Sequence, residues 1–300
     1  RRRRTMEIVK IRGAAHHTGE FPFTIDVHEG LTLSPLAAIE LKHGSQDIRI
    51  SSGIPKLDDM CNGGPFRDSI ILVSGATGTG KTLMVTQFMK AGIDAGERAL
   101  LFAFEESESQ LTRNATAWGI DYKAAQDKGL LKIVAEYPES RSLIDHLVRM
   151  KQIIEEFKPT RVAIDSLSAL ERTSTPRSFR EFVLGITSHM KSVAAAGLFT
   201  NTTEKLMGGD SITEAHISTI TDSIIVLRYV ELRGEMRRGI TVLKMRGSYH
   251  DNHIREYVID ATGMIIREPF TNVTGILSGS GAQTVVDDRY ELASMFPDDQ

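Results

Sequence analysis

Cysteine is nearly missing from this chain: Cys61 stands alone. An internal disulfide is therefore excluded, which suits a reducing compartment, and no metal-ligand spacing surrounds that residue, so it reads as a small buried side chain. Long apolar runs are missing too; none approaches the roughly 20 residues of a membrane-spanning helix. The arginines at the N-terminus have no apolar stretch behind them and do not read as a signal peptide, so the cytoplasm is the expected location. Charge of one sign is scarce, with 36 Lys and Arg against 39 Asp and Glu leaving a net −3. That balance gives no general attraction to nucleic acid or to an anionic membrane, either of which would need a local basic patch. An initiator methionine is lacking before Arg1, which suggests a fragment of a longer protein. What remains is an ordinary globular composition, 41% hydrophobic and 25% charged over 300 residues, enough for one large domain or two modest ones.

The middle of the chain alternates short apolar strands with longer helical stretches. Expected strands are Ser69–Ser74, Ala99–Phe104, Leu131–Ala135, Thr160–Asp165 and Gly197–Thr200; expected helices are Lys81–Ala95, Glu108–Trp118, Ser142–Phe157 and Ser178–Ala195. Such alternation argues for an α/β fold with right-handed crossovers, a mainly parallel sheet and helices on both faces. From about Asp222 the strands crowd together (Ser223–Tyr229, Gly239–Arg246, Ile254–Asp260, Met264–Arg267), which predicts an antiparallel extension at one edge.

A long-period repeat is also present. Lys10-Ile11-Arg12-Gly13 recurs as Lys244-Met245-Arg246-Gly247, an offset of 234 positions, and at the same offset Arg3-Arg4 match Arg237-Arg238, His16 matches His250, and Ile25-Asp26 match Ile259-Asp260. A period of that size is a domain, so the chain is expected to open on the last hairpin of one domain and continue into a full second copy. The tetra-arginine run then reads as the entry to a hairpin, which counts against nucleic acid as a partner.

Gly75-Ala76-Thr77-Gly78-Thr79-Gly80-Lys81-Thr82 fits G-x-x-x-x-G-K-[ST], after an apolar strand and before a helix. Glycines there let the backbone form a nest of N–H donors for phosphates, Lys81 adds a point charge, and the Thr82 hydroxyl reaches Mg²⁺. A second carboxylate for the metal's water shell is expected from Asp165, which ends an apolar strand; the competing reading is a helix cap. Glu105 and Glu106 close another strand at the carboxyl edge of the sheet, where one could accept a proton during transfer; they too could be caps of the next helix.

These motifs converge on a family. The Walker motif with Phe104-Glu105-Glu106-Ser107, Ile164–Leu170, Phe199-Thr200-Asn201-Thr202, Ser211-Ile212-Thr213, His216–Asp222 and the Lys244–Gly247 segment closely resembles the second domain of the KaiC family, within the RecA-like P-loop ATPases. The resemblance implies an ATP-dependent autokinase and autophosphatase with ATPase activity, assembled as a homo-hexamer with ATP at each subunit interface. It implies phosphate acceptors at Ser218 and Thr219, with Thr213 in the same phosphate chemistry. It makes Glu105 and Glu106 the catalytic pair, Glu105 the general base, and sets Trp118 at the adenine. Arg238, Lys244, Met245, Arg246, Ser248 and His250 match positions that contact nucleotide on the adjacent subunit. Lys244 and Arg246, two apart, share one face of a strand and could act there as an arginine finger does. ATP and Mg²⁺ are the implied cofactors, with Thr82, Glu105, Glu106 and Asp165 as the implied metal residues and Lys81 joining the two glutamates in catalysis.

The implied organisation is a terminal hairpin and linker over 1–40, a complete RecA-like domain over 41–274, and an arc with an acidic tail over 275–300. Implied partners are clock regulators like KaiA and KaiB and output kinases; KaiB binding is associated with the first domain, and the tail departs from the KaiA-engaging pattern. Two other readings share the motifs: a DNA-dependent RecA-like motor, against which the acidic and hydroxyl-rich loops count, and a nucleotide-gated scaffold, against which intact Lys81, Glu105 and Asp165 count.

Overall fold

A computed structural model describes residues 4–16, 19–26, 30–33, 47–203, 217–232, 234–271, 273–274 and 282–283. The central strand, β4 (Ile70–Gly75), is apolar until its last two residues and buried along its whole length, as a parallel strand covered on both faces should be. Around it stand β5 (Ala99–Ala103), β6 (Leu131–Ala135), β7 (Arg161–Asp165), β8 (Ala196–Thr202), β9 (Ser223–Leu232), β10 (Glu235–Met245), β11 (Arg255–Asp260) and β12 (Gly263–Pro269). They form one nine-stranded sheet in the order β12-β11-β10-β9-β4-β8-β7-β5-β6.

Helices cover both faces. One apolar cluster lies beneath α1 (Pro55–Met60), α2 (Lys81–Asp94), α3 (Glu108–Ala117) and α4 (Tyr122–Asp127), through Leu57, Phe88, Leu111 and Tyr122. The other lies beneath α5 (Leu143–Phe157), α6 (Leu167–Arg172) and α7 (Pro176–Ser192), through Ile154, Leu170 and Phe182. Alternate residues of one strand serve the two clusters: Leu198 belongs to the first and Phe199 to the second. The fold is thus α/β, with a mostly parallel sheet and antiparallel strands at one edge, consistent with a RecA-like P-loop ATPase domain.

Three expectations are revised. The helix expected from Ser178 begins at Pro176, because Thr175 caps it and proline suits the first turn. Helices α1, α4 and α6, six residues each, were not anticipated; so short a segment carries too little periodicity to read. Finally, β9 is not antiparallel to the main sheet: it runs parallel to β4 and antiparallel to β10. Asp222 sets this start. Its carboxylate accepts from Ile70 N at 2.9 Å and its own N–H donates to Ile70 O at 2.9 Å, laying the two strand beginnings side by side.

The N-terminal segment forms a separate three-stranded antiparallel sheet, β1 (Thr5–Glu7), β2 (Glu20–Asp26) and β3 (Gly30–Leu33). Its pairing repeats that of the main edge: Thr5 faces Pro22 and Met6 faces Phe21, while Gly239 faces Glu256 and Ile240 faces Arg255, the same register 234 positions on. The short strands β13 (Val273–Thr274) and β14 (Ala282–Gln283) pair with each other. No helix among the described residues is long and apolar enough to cross a membrane.

Candidate active site

The phosphate loop leaves the carboxyl end of β4 and runs straight into α2, whose N-terminus is Gly80. Gly78 and Gly80 hold left-handed backbone, φ +81° and +95°. A Cβ on Gly78 would stand 2.7 Å from the Tyr229 hydroxyl oxygen, and one on Gly80 would stand 2.8 Å from Ile259 Cδ1. Glycine is therefore required twice over, by conformation and by space. Gly75 and Thr79 are buried, while Thr77 and Gly78 are exposed at the crest; Thr79 Oγ1 donates to Ala76 O at 2.8 Å. Lys81 folds back over the loop, its Nζ donating to Gly75 O at 3.0 Å and Ala76 O at 2.9 Å. Burial pulls the ammonium below the usual lysine range, and the carboxylates of Asp165 and Glu105 oppose that shift.

Asp165 ends β7 across from the loop. Its Oδ2 accepts from Thr82 Oγ1 at 2.7 Å, and its Oδ1 accepts from Thr200 Oγ1 on β8. Burial pushes this carboxyl up; the two hydroxyls and Lys81 pull it back down. The cap reading is removed, since Ser166 caps α6 with its own side chain. Ser107 likewise caps α3 in a capping box with Gln110, which frees Glu105 and Glu106 from that role. Glu105, 41% exposed, pairs with Arg172 at 2.8 Å. Glu106 accepts from Asn114 Nδ2 at 2.8 Å, and its pKa is raised by burial and then by the nearby negative charge of Asp165 and Glu105.

A second constellation lies at the far end of β10. Lys244 Nζ donates to Ser218 O at 2.6 Å and Thr221 O at 2.7 Å, and Arg246 donates to Thr219 O at 2.8 Å. Both basic side chains thus reach the same turn, as two-residue spacing predicts, even though a bulge interrupts the pairing between Val242 and Lys244. Met245, between them, turns inward to the core. Asp222 closes the turn by accepting from Lys191 Nζ at 2.8 Å.

The other expected residues scatter. Trp118 is the C-cap of α3 and packs half-buried against the first cluster. Ser248 Oγ accepts from Arg49 at 2.7 Å and donates to Tyr249 O, and His250 follows half-buried. Arg238 lies further back on the same strand, its guanidinium 5.7 Å from the ring centre of Tyr229, the tyrosine whose hydroxyl stands at Gly78. Six residues of extended chain separate it from Lys244, about 20 Å. Thr213 and the 275–281 arc lie outside the described residues.

Magnesium prefers one or two oxygen ligands from the protein, several waters, and phosphate oxygens. The Thr82 hydroxyl and Asp165 carboxylate fit that donor set, whereas Glu105 and Glu106 are engaged by Arg172 and Asn114. Among the described residues no group of three or more His, Cys, Asp or Glu could hold a metal by itself. Thr200, Arg172 and Asn114 were missed as site residues. The Arg172–Glu105 pair spans 67 positions, and no local pattern announces such a contact.

Comparison with known proteins agrees with this geometry. The family described as "ATPase: KaiC" matches residues 50–270. "Circadian clock protein KaiC3" of Synechocystis sp. (strain ATCC 27184 / PCC 6803 / Kazusa) is 62% identical over 296 residues, covering 99% of this chain and 59% of the relative. "Circadian clock oscillator protein KaiC" of Thermostichus vulcanus is 56% identical over 293 residues, 98% of this chain and 56% of the relative. That of Parasynechococcus marenigrum (strain WH8102) is 54% identical over 293 residues, 98% and 57%. The chain therefore spans a little over half the length of the curated relatives it matches. A Walker loop whose threonine meets the β7 aspartate, joined to these matches across nearly the whole chain, makes it a member of the KaiC ATPase family.

Proposed function

We propose that this chain is the autokinase half of a KaiC-type ring: an ATP-dependent serine/threonine autokinase, autophosphatase and ATPase that transfers the γ-phosphate of ATP to Ser218 and Thr219 across subunit interfaces. The observation that carries this is the junction of Lys244 and Arg246 with the backbone of Ser218, Thr219 and Thr221. Acceptors and cations form one unit, so a subunit that offers its basic pair to a neighbour's nucleotide offers its hydroxyls at the same time.

Mg-ATP, when bound, supplies the transferable phosphoryl group with part of its charge neutralised. The loop amides and Lys81 hold the phosphates, and Thr82 with Asp165 would hold the metal and its waters. Glu105, solvent-facing and balanced by Arg172, receives the acceptor's proton as the Oγ–P bond forms and the β–γ bridge breaks to leave ADP. Glu106, whose pKa is raised by burial and then by Asp165 and Glu105, stands beside the general base and is held by Asn114. Lys244 and Arg246 neutralise the charge that builds on the transferring group. Trp118 is assigned to the adenine, and Ser248, His250 and the Met245 backbone to the nucleotide's rim. Thr213 belongs to the same phosphate chemistry. A homo-hexamer in the cytoplasm, regulators like KaiA and KaiB, and output kinases complete the reading.

Incubating the purified protein with Mg-ATP and mapping phosphate by mass spectrometry tests it. Phosphate on Ser218 and Thr219 is expected. Unlabelled acceptors together with hydrolysis stimulated by DNA would replace the autokinase with a DNA-dependent motor.

A further inference from the structure

The antiparallel edge of the sheet does more than extend it: one face of β11 lies against the phosphate loop. Tyr257 and Ile259, two apart and so on the same face, both reach the loop. Ile259 Cδ1 presses on Gly80, with Met264 Cε of β12 beside it; their distances from an added Cβ on Gly80 would be 2.8 and 3.3 Å. Tyr257, 1% exposed, donates its hydroxyl to Thr79 O at 2.5 Å, a contact across 178 positions.

We propose that Tyr257 is a positioning residue for nucleotide binding, its hydroxyl fixing the orientation of the Thr79–Gly80 peptide in the phosphate loop. The inference rests on the reading of that loop as the nucleotide site. The carbonyl and N–H of one trans peptide point in opposite directions, so anchoring Thr79 O on β11 keeps the Gly80 N–H aimed away from β11, toward incoming phosphate. Gly80 needs such an anchor. Its φ of +95° is one that glycine leaves at little cost, and no side-chain cap bonds this end of α2. Side-chain bonds of Thr79 and Lys81 go to Gly75 and Ala76, on the first half of the loop, and leave the second half to Tyr257. Burial raises the phenol's pKa well above its usual value, so the hydroxyl stays a donor throughout the working pH range.

The test is Tyr257→Phe in the intact protein, which deletes one hydroxyl and keeps the ring in the core. A neutral hydrogen bond corresponds to a factor of about two to ten. The expected result is a rise of that size in KM for Mg-ATP and in Kd for Mg-ADP by calorimetry. The value of kcat at saturation stays within about twofold, because the lost interaction serves bound nucleotide before and during transfer alike. Hydrogen exchange separates a local anchor from a general loss of stability: amides of Gly80–Thr82 exchange faster in the variant while β4 and β5 keep wild-type protection. Wild-type affinity for Mg-ADP in the variant overturns the proposal, as does weakened binding accompanied by equal loss of protection in β4 and β5. A wild-type protein that binds no Mg-ADP overturns the nucleotide-site reading itself, a result readily told apart from these.

Discussion

Replacing Lys244 with alanine separates two roles that one ammonium could play. In this chain it donates to Ser218 O at 2.6 Å and Thr221 O at 2.7 Å. Bonds from a charged donor contribute about 1.5–3 kcal/mol each where water is excluded. Lys244 is only half-buried, so water replaces much of this at the freed carbonyls, and about 1–2 kcal/mol in total is the expected loss. A domain of this size then melts roughly 2–8 °C lower. Were Lys244 only a clamp on the acceptor turn, that energy would slow phosphoryl transfer by about thirtyfold at most. A cation completing the charge on the transferring group contributes on the order of a thousandfold or more. Single-turnover labelling of Ser218 and Thr219 from radiolabelled Mg-ATP distinguishes the two, and a loss beyond about a hundredfold is expected. Mixed assemblies sharpen the result. Lys81→Met subunits keep acceptors and cations but lack the loop lysine; subunits with Ser218→Ala, Thr219→Ala and Lys244→Ala keep the nucleotide site but lack the acceptor hydroxyls and Lys244. Mixing them should label the Lys81→Met chains. A silent mixture, or a loss under about thirtyfold, refutes transfer between subunits through Lys244.

Asp165→Asn removes the carboxylate held by Thr82 and Thr200; affinity for Mg-ATP should fall at least about tenfold, while affinity for ATP in the presence of a chelator changes little by calorimetry. Gly80→Ala forces a side chain onto a backbone at φ +95° and into Ile259; with a conformational cost of about 1–2 kcal/mol before the clash, nucleotide binding should be lost while circular dichroism stays native. Glu106 binds its proton more tightly folded than its ordinary 4.5 implies, so ionising it costs stability as pH rises through that raised value. Glu106→Gln should therefore be more stable than wild type at neutral pH, with the advantage vanishing as pH falls toward 4.5 in chemical denaturation.

Much of the site is legible in the linear chain because its chemistry is local. The phosphate loop needs consecutive residues, since one nest of amides is made from one short run of backbone. Glu105, Glu106 and Asp165 are each found at the end of an apolar strand, and parallel strands bring their carboxyl ends to one edge of the sheet. Lys244 and Arg246 share a face by spacing alone. The 234-residue echo needs no structure to be noticed, though the identical strand register gives it physical form.

Tertiary structure decided the rest, because it turns on contacts between segments far apart in the chain. Whether Asp165 caps a helix or takes a hydroxyl from Thr82 depends on how β7 stands beside α2, and Ser166 as the actual cap shows the outcome. The parallel course of β9 follows from Asp222 meeting Ile70, 152 positions away. Arg238 stands over Tyr229, apart from Lys244, because both basic residues lie on one long strand whose ends cannot meet. Tyr257 had no motif to mark it: the hydroxyl acquires its role only when folding brings β11 under the phosphate loop, close enough for a hydrogen bond that no spacing in the sequence encodes.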